Sequence, residues 1–163
     1  IKVTPAYAQH PGLTLGYKIE KNGKSVVYYS DNEIFGNYPV NKVLACLESN
    51  DFDEEDLQAV MLAEEKKKLF KMIAGVDVLI HDAQYTNKEY EAKLGWGHST
   101  VELLTRCAIA AKVKHLVLFH HDPSDDDDHV DEKVALAREI AKDCSDTQII
   151  ISAASQFSEM IEV

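Results

Sequence analysis

Two periods alternate along this chain, and each marks a different kind of element. Short runs rich in β-branched and aromatic residues occupy 1–8, 14–20, 24–30, 76–81, 115–120 and 147–153, each bounded by turn residues or charges. That pattern predicts six strands. The Asn22-Gly23 pair between the second and third runs predicts a tight hairpin, because both central positions of a type I′ turn need positive φ. Helical spacing appears over 40–48, from about 54 to 73, over 99–112 and from about 131 to 142. Ser99 and Glu102 read as an S-x-x-E capping box opening the third of these helices.

A β-rich start followed by alternating helix and strand predicts an α/β fold, a mixed sheet with helices packed on it. At 163 residues, with 45% apolar and 28% charged positions, the chain is expected to form a single domain over 1–163. Residues 32–71 form a long, acidic, mostly helical excursion between two strands, read as an insertion within that domain.

Charge and cysteine content narrow the function classes. A net charge of -11 argues against nucleic acid as a partner, since phosphate contacts need clustered Lys and Arg. No apolar run approaches the ~18 residues that span a bilayer, so no membrane partner is expected. Three cysteines, at 46, 107 and 144, lack C-x-x-C spacing and fit reduced thiols in a cytoplasmic setting. The sequence starts at Ile1 without a basic, apolar leader, which gives no sign of a secretory signal and suggests a trimmed or excised chain.

Histidine placement carries the candidate chemistry. His10 follows the first strand, Asp31 the third, His81 closes VDVLI and His120 closes HLVLF. His98 precedes a helix in GWGHST. Strand carboxyl ends are where open α/β sheets collect ligands, and imidazole with carboxylate suits Zn²⁺, Mn²⁺ or Fe. Each residue alone has a plainer reading: a hydrogen-bonded structural histidine, an Asx turn at Asp31, a cap at Asp82. The acidic stretch 122–132 lacks the Gly and spacing of an EF-hand and reads as a solvated loop.

Five segments together resemble the C-terminal part of metallo-β-lactamase-superfamily hydrolases of the phosphodiesterase and tRNA 3′-processing type. They are HPGLTLGYKI from His10, VVYYSDNE from Val26, DVLIHDAQY from Asp77, GWGHST from Gly95 and AKVKHLVLFHHDP from Ala111, in the family's order. The resemblance implies metal ligands at His10, Asp31 (bridging) and His120. It also implies a second-sphere catalytic histidine at His98, oriented by Asp82, and a structural role for His81. The implied cofactors are two divalent ions, Zn²⁺ before Mn²⁺ or Fe, and the implied reaction is hydrolysis. A short hairpin over 20–30 stands where tRNA-processing relatives carry a longer insertion, which favours a small phosphodiester such as a cyclic nucleotide or cyclic sugar phosphate. A thioester or lactone stays open as an alternative substrate.

The family's His-x-His-x-Asp-His motif does not occur in these residues. The resemblance therefore implies the C-terminal half of an αββα sandwich, inactive alone, with an upstream half-domain or a second copy as partner. The rival reading is a non-catalytic half-domain that binds a partner chain through an exposed sheet face.

Overall fold

The computed structural model describes residues 1–34, 67–144 and 148–155. All six expected strands form: β1 (Lys2–Tyr7), β2 (Leu15–Lys21), β3 (Lys24–Tyr29), β4 (Val78–Asp82), β5 (His115–Phe119) and β6 (Ile150–Ala153). They make one sheet whose spatial order follows the chain order. β1–β2 and β2–β3 pair antiparallel, and the three remaining pairs are parallel. The hairpin closes as expected, with Asn22 at φ 51° and Gly23 at φ 78°. Since β1 and β3 run the same way as β4 and β5, the carboxyl ends of all four lie along one edge of the sheet. His10, Asp31, Asp82 and His120 stand at those ends.

Strand alternation separates two faces. On one, Val27, Tyr29, Leu79, Leu116, Leu118 and Ile151 share a buried cluster with helix residues. Leu104, Cys107 and Ala108 come from α2 (Val101–Ala110), and Val134 and Ala137 from α3 (Asp127–Asp143). Helices thus cover this face. The opposite face carries two cross-strand rows, Val3–Ile19–Val26–Val78–His115–Ile150 and Pro5–Tyr17–Tyr28–Ile80–Val117–Ser152. Val3 is 54% exposed, Ile19 42% and Ile150 61%.

Helix boundaries differ from expectation at three places. Thr100, not Ser99, caps α2, its side chain accepting from the Leu103 amide. Ser99 is drawn away because its hydroxyl donates to Asn32 O at 2.5 Å and accepts from the Ile34 amide. Glu102 instead accepts from the Asn87 amide. α3 starts at Asp127, inside the acidic stretch, because the Asp126 carboxylate accepts from the His129 amide. That stretch is also not wholly solvated: Lys133, 3% exposed, donates from Nζ to Asp125 and to Gln84 O. A short helix, α1 (Asn87–Tyr90), opens on a Thr86/Glu89 capping box that the periodic pattern did not show.

Most of the 32–71 excursion, with the helices expected over 40–48 and 54–66, lies outside the described residues. Its described end is helical over 67–73 and packs Leu69, Phe70 and Met72 into the core.

Candidate metal centre

The sheet edge gathers every expected site residue. His10, Asp31 and His98 offer ligand atoms within 4.8 Å of one another, and so do Asp82, His98 and His120. The two groups share His98, and Asp31 Oδ1 lies 3.2 Å from His120 Nε2. The rings interlock: His98 stacks on His120 at 4.9 Å and meets His10 edge-on at 5.6 Å. His120 holds φ 57°, a left-handed conformation uncommon for a side-chain-bearing residue. The bend at the end of β5 turns its imidazole back toward Asp31.

Asp82 is fully buried and its carboxylate receives four donors. Oδ1 accepts from the Gln84 and Ser99 amides at 3.1 and 3.3 Å. Oδ2 accepts from the Asn32 amide at 3.2 Å and from His98 Nδ1 at 2.6 Å. So saturated an anion is poorly placed to bind a cation as well, and it acts on the site by fixing His98. With Nδ1 committed to Asp82, His98 presents Nε2 to the cluster. Burial disfavours the charged His98 ring, but the Asp82 hydrogen bond and the Asp82, Asp31 and Glu33 carboxylates outweigh it and raise its pKa.

His81 has the structural role expected of it. It is fully buried, its Nδ1 donates to Asp82 O at 2.8 Å, and Nε2 accepts from Asn32 Nδ2 at 3.0 Å. Burial pushes its pKa down, favouring the neutral ring that this pattern requires. Asn32 extends the network by accepting from the Gln9 amide at 2.8 Å.

Sequence reasoning missed Glu33, the last residue of SDNE. It is 4% exposed and accepts from the Gly95 and Gly97 amides, each at 2.9 Å, and from the Tyr90 hydroxyl. Its own amide donates to Gln9 O at 2.7 Å. The Glu33 carboxylate thus holds the loop that carries His98 and the end of α1, and its backbone amide holds the loop that carries His10. Burial and then the Glu33 contact push the Tyr90 pKa up. Gly97, at φ 96°, backs onto the His10 ring so closely that a Cβ there would lie 2.3 Å from Cδ2. The His10 ring and the His98 loop fit only because that position is glycine.

The donor set of imidazoles and one bridging-capable carboxylate fits divalent transition metals. His10, Asp31 and His120 would hold them, with His98 beside them. Three ligands cannot fill the coordination of two ions, so further donors have to come from outside these residues. His10 adds a tautomer requirement. Its Nδ1 accepts from the Gly12 amide at 3.0 Å, with Thr14 Oγ1 at 3.3 Å. Ligation through Nε2 needs Nδ1 protonated, and so a shift of that hydrogen bond toward Thr14.

Neither family models nor curated proteins give a match to this sequence. Solved structures do. The metallo-beta-lactamase fold protein YhfI from Bacillus subtilis superposes with a TM-score of 0.57 at 16% identity over 93% of this chain. Human tRNase Z, short form, gives 0.57 at 15% identity over 99%. The chain spans 46% and 43% of those two proteins. It has part of the metallo-beta-lactamase fold, corresponding to less than half of each neighbour. Among the described residues, no helix is long and apolar enough to cross a membrane.

Proposed function

We propose that this chain supplies the His10–Asp31–His120 side of a dinuclear metal centre in a hydrolase that cleaves a small phosphodiester. The observation that carries this reading is the convergence of three strand-end side chains, with Asp31 Oδ1 3.2 Å from His120 Nε2 and the ligand atoms of His10, Asp31 and His98 within 4.8 Å of one another. Divalent ions bound there, Zn²⁺ in first place, supply Lewis acidity toward a phosphoryl oxygen and lower the pKa of water. The chain's own residues do the rest. Asp82 holds His98 by Nδ1 and leaves Nε2 facing the cluster, where it can donate a hydrogen bond or a proton to the departing oxygen. Glu33 keeps the His10 and His98 loops at fixed spacing.

The donors missing here belong to a second half of the fold, which makes the isolated chain inactive and a second sheet layer its partner. The likeness to human tRNase Z bears on the fold, and the acidic composition favours a small substrate over tRNA. The odd number of cysteines favours a cytoplasmic setting.

Calorimetric Zn²⁺ titration of the chain and of Asp31→Ala tests the reading. Binding by the parent and its loss in the variant are expected. Equal binding, or none by the parent, would overturn it.

A second reading has its own observation. On the outer sheet face Val3, Tyr17, Ile19 and Ile150 are exposed apolar side chains, while Val78 and Val117 on the same rows are buried. On this reading the chain is a non-catalytic half that docks a partner sheet through that face. A stable homodimer that binds no metal would favour it.

A further inference from the structure

We propose that Trp96 and Lys93 form a rim subsite that stacks the aromatic base of the substrate, which makes the phosphodiester a nucleotide rather than a sugar phosphate. The inference rests on the phosphodiester reading and sharpens it. Trp96 is 56% exposed, although an indole gains most by burial. Its two flanking residues, Gly95 and Gly97, both donate amides to the buried Glu33 carboxylate. Gly97 also rests on the His10 ring, and His98 follows it directly. The Trp96 Cα therefore stands within about 8 Å of the His98 Cα, the reach of two trans peptide links.

Lys93 completes the subsite. Its ammonium lies 4.1 Å from the Trp96 ring centroid and 5.9 Å from that of Tyr85, which itself meets His98 edge-on at 6.0 Å. One face of the indole is thus held by a cation, and the exposed remainder is available to a planar ring. The ammonium is a positive charge at the rim of a site otherwise dominated by carboxylates. A ligand that joins a heteroaromatic ring to a phosphodiester satisfies both groups at once. A base-free cyclic sugar phosphate satisfies only the cation.

Trp96 is the single tryptophan of the chain, so its emission reports on the subsite directly. The full chain, with Zn²⁺ present, is titrated with adenosine 3′,5′-cyclic phosphate and with the corresponding base-free cyclic ribose phosphate. Fluorescence and calorimetry are the readouts. Saturable quenching by the base-bearing ligand alone is expected. Trp96→Ala should weaken that ligand by about 5- to 150-fold, the range for loss of one base–aromatic stack, and leave the base-free ligand unchanged. Trp96→Phe should keep most of the affinity, and Lys93→Gln should weaken both ligands. Equal affinity for the two ligands, or an unaffected Trp96→Ala, would overturn the subsite and leave the phosphodiester reading standing. Zn²⁺ binding with no affinity for either ligand would overturn both.

Discussion

Asp82 and His98, sixteen residues apart in the chain, meet at 2.6 Å in a pocket where the carboxylate is fully buried. Replacing Asp82 by Asn keeps the shape but turns one acceptor oxygen into a donor among four existing donors. At least one buried N–H then loses its partner, at a cost of about 1–3 kcal/mol. Asp82→Asn is expected to lower the unfolding free energy by that amount, seen as a lower urea midpoint, and to release the His98 ring from its fixed tautomer, read from its ¹⁵N chemical shifts. An unchanged midpoint and unchanged shifts would show that the carboxylate is dispensable.

The Glu33 carboxylate holds the Gly95–Gly97 loop and Tyr90, so Glu33→Gln should loosen these together while the backbone bond to Gln9 O persists. The amide cannot accept from Gly95, Gly97 and Tyr90 simultaneously, and a loss of about 1–3 kcal/mol follows. Hydrogen exchange of the Gly95 and Gly97 amides should speed up by a matching factor of about 5 to 150. Tyr90→Phe removes one contact only and should cost about 1 kcal/mol. Similar exchange rates in parent and Glu33→Gln would refute the clamp.

Gly97→Ala sets backbone strain and a clash against the metal site at once. With φ 96° and a Cβ 2.3 Å from His10 Cδ2, the variant has to move either the loop or the imidazole. A stability loss above about 1 kcal/mol and weaker Zn²⁺ binding are expected. Gly23→Ala is the control: its φ is 78° but nothing lies within 4 Å of the added carbon. It should cost about 1 kcal/mol and leave Zn²⁺ affinity alone. Identical Zn²⁺ affinities in both variants would separate Gly97 from the site.

Two histidines away from the centre should titrate in opposite directions. The Asp126 hydrogen bond and charge raise the pKa of exposed His129, and burial lowers that of His115. A proton held more tightly in the folded state stabilises it below the ordinary histidine pKa, and this contribution fades as pH rises through the raised value. His115 behaves oppositely, its burial costing stability as pH falls below the ordinary value. NMR titration should place His129 above His115, and Asp126→Ala should bring His129 down toward the ordinary value. A reversed order would contradict both environments.

Strand-forming segments were legible because β-branched runs and the Asn22-Gly23 turn are local signals. The positions of His10, Asp31 and His120 at strand ends followed from those same runs. What escaped was everything set by distant partners. Ser99 looks like a cap until Asn32 O, 67 residues away, takes its hydroxyl. Glu33 reads as one more acidic residue, yet its amide partners lie 62 and 64 positions on. Lys133 sits in a helix that begins in an acidic stretch, and only the fold shows it buried against Asp125 and Gln84 O. The capping box at Thr86, by contrast, is written in the sequence as T-x-x-E.

The sheet's spatial order repeats the chain order, and this bears on how a nascent chain acquires its site. The meander β1–β3 needs only neighbouring hairpins and can zip as soon as it is synthesised, bringing His10 and Asp31 to one edge. β4 and β5 join by parallel crossovers, which close longer loops and form more slowly. His120 is the last of the site's residues to leave the ribosome. The three expected donors therefore come together only when the parallel pairing of β5 is complete.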